Sequence, residues 1–198
     1  MSFKALLFVA LIGWGAVNWW HKRPVQSAPV AGEPVQQIHA GLPAVSVGAY
    51  QVQPFAQFEV RARVLSVASY LLGRGSDLAP LDFALGWNRM SDAAVIEQLN
   101  ISQSGRWYHY RWGHEGPPIP ASEIAASSAN MHLIPSSASV KRALESVRVG
   151  ERVEIRGKLV DVTTADGWSW NSSRSRTDTG GGACELVWVD SITVLPPK

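Results

Sequence analysis

Residues 57–69 read QFEVRARVLSVAS, and this stretch decides the fold class. Phe58, Val60, Ala62 and Val64 alternate with Glu59, Arg61 and Arg63. Successive side chains of an extended strand point to opposite faces, so this period of two predicts a strand half buried against a core. Arg61 and Arg63 then belong to its solvent face. Residues 151–163, ERVEIRGKLVDVT, repeat the pattern, with Val153, Ile155 and Leu159 set against Arg152, Glu154, Arg156 and Lys158. Gly157 inside that run predicts a bulge or bend. Asp166-Gly167 is a hairpin signal, because both residue types tolerate the positive φ of a tight turn. A return strand is expected over 168–173. A last strand, CELVWVDSITVL, is expected over 184–195, ended by Pro196 and Pro197.

Helical signals lie between these strands. Ser91 is placed to cap a short helix reaching Leu99, with Asp92 in its first turn, and Ser137 to cap another reaching Val147. A helical turn is expected over 122–127, after Pro117, Pro118 and Pro120. RWYHYRW, 106–112, and 131–134 read as further strands. The sum is an α+β domain, mostly β, with two or three short helices: a small curved sheet or partly open barrel, OB-like by analogy.

Upstream of the domain, residues 5–20 read ALLFVALIGWGAVNWW, without a charge. Sixteen residues of helix span roughly 24 Å, short of a hydrocarbon core of roughly 30 Å. Trp14, Trp19 and Trp20 extend the fit, because tryptophan favours the membrane interface. WWHKRP follows, bulky and basic, with no small-x-small cleavage site, which favours an uncleaved signal anchor over a removed leader. The expected layout is a transmembrane anchor at 3–20, a Pro-rich linker at 21–43 and a globular domain at 44–198. Lys4 flanks one side of the anchor, and Lys22 and Arg23 the other, so charge alone leaves its orientation open. A lysine followed by an apolar run at the extreme N-terminus is the layout of secretory targeting. It points to a periplasmic domain on a single-pass inner-membrane anchor.

Charge narrows the function. Of 18 Lys/Arg, three (Lys4, Lys22, Arg23) precede Gly41, leaving 15; of 16 acidic residues only Glu33 does, leaving 15. The domain is therefore neutral, which disfavours nucleic acid as a partner. Cys184 is the only cysteine, so no disulfide forms within the chain. His109, His114 and His132 have no zinc-ligand spacing, and neither metal nor cofactor is expected. Asp178-Thr179-Gly180 spells an aspartic-protease tripeptide but follows RSRT instead of an apolar strand. The candidate ligand residues are Arg174, Arg176 and Asp178 around three consecutive glycines, the Trp168–Trp170 pair, His132 and Cys184. Arginines and backbone N–H groups in such a loop suit an anion. Tryptophans two apart on a strand share a face and suit stacking, or else a core.

Several stretches together carry a resemblance: DFALGWNRMSD (82–92), ISQSGRWYHYRW (101–112), SANMHLIP (128–135) and GWSWNSSRSRTDTGGGACELVWV (167–189). With the anchor and linker, the chain resembles a family of uncharacterised bacterial membrane-anchored envelope proteins. The resemblance implies an envelope location and supplies no mechanism. The expected function is a non-enzymatic module binding an envelope protein or polymer. Two alternatives remain. One is an envelope hydrolase using His132 or His109 with Asp178 or Cys184. The other is an OB-like binder of single-stranded nucleic acid or polysaccharide.

Overall fold

A computed structural model of the protein describes residues 28–39, 41–175 and 184–196. The anchor reading at 3–20, Arg176 and Asp178 lie outside these residues. Among the described residues no helix is long and apolar enough to cross a membrane.

The fold is mostly β, as the alternating stretches predict. Ten strands are described: β1 (Val35–Ile38), β2 (Val45–Val47), β3 (Tyr50–Ser69), β4 (Leu81–Gly86), β5 (Leu99–Ser104), β6 (Trp107–Trp112), β7 (Ser128–Pro135), β8 (Arg152–Thr164), β9 (Ser169–Asn171) and β10 (Glu185–Leu195). Three short helices accompany them: α1 (Ala93–Ile96), α2 (Ala121–Ala126) and α3 (Ala138–Ser146). Eight strands make one curved sheet, not closed into a barrel, along the path β1-β3-β4-β7-β10-β8-β9, with β2 on β3. The bend runs through β3. Its residues from Tyr50 to Arg63 pair with β8, and those from Arg63 to Ser69 pair with β4. β7 and β10 are parallel; the other pairs are antiparallel. β5 and β6 form a separate hairpin.

One sheet face carries the largest core: Phe58, Val60, Phe83, Leu85, Met131, Ile155, Leu159 and Val187, joined by Leu144 of α3. On β4 and β7 the alternate residues face the other way. There Ala84 packs with Leu65, Met90 and Leu99, and Ile134 packs with Leu78, Val160 and Leu186. Both faces of the sheet's middle are thus covered. This corrects the reading of Arg63 and Arg152 as solvent-facing. They are register partners, and both are buried, whereas Arg61 is exposed as expected.

The interior glycine of β8 behaves as a close approach. A Cβ on Gly157 would stand 2.0 Å from the Trp188 carbonyl oxygen, and the register shift falls opposite, between Val189 and Ser191 of β10. Ser137 caps α3, its side chain accepting from the Val140 N–H. The cap near residue 91 differs from expectation. Asp92 caps α1, after a 3-10 turn at Asn88–Ser91, and the Ser91 hydroxyl instead accepts from the Val30 N–H at 2.7 Å. Val30 is buried, and β1 pairs with β3, so a strand lies within the stretch expected to be linker.

Candidate functional site

Asp82 sits in an apolar run, LAPLDFALGW, and is fully buried. A buried carboxylate is tolerated only when charge and hydrogen bonds surround it. Two elements supply them. β7 lies beside β4 with His132 opposite Asp82, and Asn130 opposite Ala84. The β5–β6 hairpin turns at Gly105 and Arg106, with φ of 57° and 66°. Two positive φ values make the tight turn that fits the twist of a hairpin. A left-handed arginine is uncommon and costs on the order of 1–2 kcal/mol. Here the turn directs the Arg106 side chain back over the sheet.

The guanidinium is fixed on every side. Nη1 donates to Asp82 Oδ1 at 2.9 Å and Nη2 to the Ala79 carbonyl at 3.0 Å. The group lies 4.2 Å from the Tyr70 ring centre and 4.9 Å from that of Trp170, and the backbone N–H of Arg106 donates to the Tyr70 hydroxyl at 3.1 Å. Asn130 Nδ2 donates to Asp82 Oδ2 at 3.3 Å and to the Arg106 carbonyl at 3.0 Å, and Gln103 Nε2 donates to Asn130 Oδ1 at 2.7 Å. His132 Nδ1 stands 2.9 Å from Asp82 Oδ2, a close contact off the axis of a straight hydrogen bond. Its ring packs 4.8 Å from Trp170. Burial, followed by the nearby Asp82 carboxylate, raises the pKa of the Tyr70 phenol above its ordinary value.

Aromatic packing continues outward from this knot. Trp170 stands 6.0 Å from Trp168, and Trp168 stands 6.1 Å from Tyr50. Arg74 lies 4.9 Å over Trp168 and is paired with Asp166, whose pKa falls to about 2 through hydrogen bonds from Thr164 and Arg74. Gly75, at φ +78°, carries the β3–β4 connection past Trp170, where a Cβ would touch the indole at 3.0 Å. Arg174 pairs with Asp161 and lies 3.5 Å over Phe55.

The structure therefore brings three of the sequence candidates together: Trp168, Trp170 and His132. Arg174 is committed to Asp161. Cys184 is half-buried at the start of β10, and its carbonyl accepts from the Ser173 N–H at 3.1 Å. The carboxylate partner of His132 is Asp82, which the sequence reading did not single out. His109 and His114 lie elsewhere, beside Ser104 and Glu115. Among the described residues, no three His, Cys, Asp or Glu side chains converge as metal ligands. Asp82 left one legible signal, a lone charge in an apolar strand. Arg106 left only the Gly-Arg turn, and Asn130 and Tyr70 left none.

The fold and this site define a curved-sheet domain with a buried Asp–Arg–His knot beside two half-buried tryptophans, Trp168 and Trp170. Searches found no matching family model, curated protein or solved structure.

Proposed function

We propose that the chain is a membrane-tethered, periplasm-facing binding module of OB-like shape, and that it holds the sugar or peptide strand of an envelope polymer, not a phosphate backbone, at the Trp168–Trp170 pair. The observation that carries this reading is that, among the described residues, the arginines at that end are each paired with a carboxylate: Arg74 with Asp166, Arg106 with Asp82, Arg174 with Asp161. Aromatic rings without surplus positive charge suit a sugar or peptide strand. A phosphate backbone would need cations to spare.

The OB-like reading draws on the strand path. β3, β4, β7, β10 and β8 are neighbours in that order along the open sheet, the long β3 also pairs with β8, and α3 lies between β7 and β8 in the chain. In OB folds, the loops joining the first to the second strand and the fourth to the fifth hold the ligand. Here those connections bear Tyr70 and Arg74 on one side, and Trp168, Trp170 and Arg174 on the other. The tether supports an outward-facing site. Val30 docks at Asn88, beyond the Gly86 end of β4, whereas Asp82 and its neighbours lie at the Leu81 end. Some six residues of strand, roughly 20 Å, separate the two. The resemblance to anchored envelope proteins points the same way.

The hydrolase alternative would start from His132 and Asp82. It is less well supported, because His132 is enclosed by Asp82 and Trp170 and is almost wholly buried.

Retention of the purified full chain on insoluble peptidoglycan sacculi tests the reading. Trp168→Ala should weaken retention by about 1–2 kcal/mol, roughly 5- to 30-fold. Circular dichroism and the melting transition should confirm that the variant is folded. Equal retention by a folded variant refutes the proposed surface.

A further inference from the structure

The connection from β3 to β4 carries two leucines out into water. Leu71 is 92% exposed and Leu72 89%, the two most exposed large apolar side chains among the described residues. A single exposed leucine is ordinary, whereas adjacent ones on a fixed tip mark a contact surface. The tip is fixed at its base. The Tyr70 N–H donates to the Pro80 carbonyl at 2.8 Å. Ser76 donates to the Gly73 carbonyl twice, through its N–H at 3.2 Å and its hydroxyl at 2.7 Å. Asp77 accepts from the Tyr50 hydroxyl at 2.6 Å. A segment held in place before contact loses little freedom on binding.

The same chain carries an apolar hollow. Beside β3, α1 and β5 lies a groove of about 450 Å³, walled by Leu65, Ile96, Leu99, Ile101 and Val149. Some six residues of β3, from Leu65 to Tyr70, separate the groove from the tip by roughly 20 Å. A chain therefore does not seat its own leucines.

We infer that Leu71 and Leu72 of one copy seat in the groove of a second copy of this chain, in a head-to-tail contact. Three observations select this occupant. The first is volume. At about 30 Å³ per water-sized unit the groove holds roughly fifteen units, and two leucine side chains bring about eight carbons, so the pair fits with room for backbone. The second is charge. From Gly41 onward the chain has 15 Lys/Arg and 15 Asp/Glu, so no net charge holds two copies apart. The third weighs against a lipid surface. Insertion of so small an apolar tip needs help from cations, and the arginine of this loop, Arg74, is paired with Asp166. Tip and groove are different surfaces, so the contact is heterologous. Its small area makes it weak and reversible. It needs neither the anchor nor the polymer.

The test is photocrosslinking in bacterial cells that express two copies of the full chain. One copy carries p-benzoylphenylalanine in place of Leu72, and the other keeps the natural sequence with an affinity tag. After irradiation the tagged copy should be recovered joined to the photoreactive one. The new bond should map to peptides of the tagged copy that contain Ile96, Leu99 and Ile101. Leu71→Asp in the photoreactive copy should cut the adduct at least fivefold, and a side chain already in water leaves folding intact. Ala93→Trp in the tagged copy, which fills the groove from α1, should do the same. The melting transition of each purified variant reads its folding. The inference is overturned by the absence of an adduct between copies, by label only on lipid or on another protein, or by a bond outside the groove. A full yield from Leu71→Asp, or from a folded Ala93→Trp, overturns it as well. Should Ala93→Trp fail to fold, the mapped bond and the Leu71→Asp yield decide.

Discussion

Asp82→Ala is expected to destabilise the domain by about 3–5 kcal/mol, as breaking a buried ion pair from one side does. The loss follows from what remains. Arg106 would stay between Tyr70 and Trp170 without its carboxylate, in a left-handed turn that the ion pair now helps to hold. Asn130 would keep only one of its two acceptors. Urea unfolding reads the effect. With an m-value of about 1–3 kcal/mol/M, the midpoint should fall by roughly 2 M, or the variant should fail to fold in water. Asp82→Leu combined with Arg106→Met should recover much of the loss, because apolar replacement of a whole buried pair is often neutral or stabilising. A loss below about 1 kcal/mol for Asp82→Ala would mean that the knot does not hold the hairpin to the sheet.

Gly157→Ala is expected to cost about 3 kcal/mol or more, the upper end for overpacking. The added Cβ would meet backbone, the Trp188 carbonyl at 2.0 Å and the Val189 Cα at 3.2 Å, and neither can rotate away. β8 and β10 would have to part beside their register shift. For a domain of this size the melting temperature should drop by roughly 6–12 °C. Gly113→Ala is the control, since nothing lies within 4 Å of its added Cβ and its φ is not positive. Equal melting temperatures for the two variants would disprove the close approach.

These two expectations mark what the sequence could and could not tell. Alternation at 58–64 and at 153–159 predicted β3 and β8, because period two is local. Ser137 and Asp166-Gly167 were legible for the same reason: a cap and a turn are decided within four residues. The alternation misled at Arg63 and Arg152. It assumes one wet face, and here α1 and β5, which lie outside the pattern, stand beside Arg63, while Arg152 reaches the Pro196 carbonyl. The site was harder still. Tyr70, Asp82, Arg106, Asn130 and Trp170 span a hundred residues of chain and meet only because β4 pairs with β7 and the β5–β6 turn folds back. Composition flagged the tryptophans and His132. The joining carboxylate was visible only as a charge out of place. β1 was hidden inside a proline-rich stretch whose composition resembles a spacer.

The proposed binding module requires a domain that lies outside the inner membrane. Fusing alkaline phosphatase, and separately a cytoplasm-active fluorescent protein, to the C-terminus reads this directly. The account predicts an active phosphatase and a dark fluorescent protein in the membrane fraction. A bright fluorescent fusion with an inactive phosphatase would contradict it.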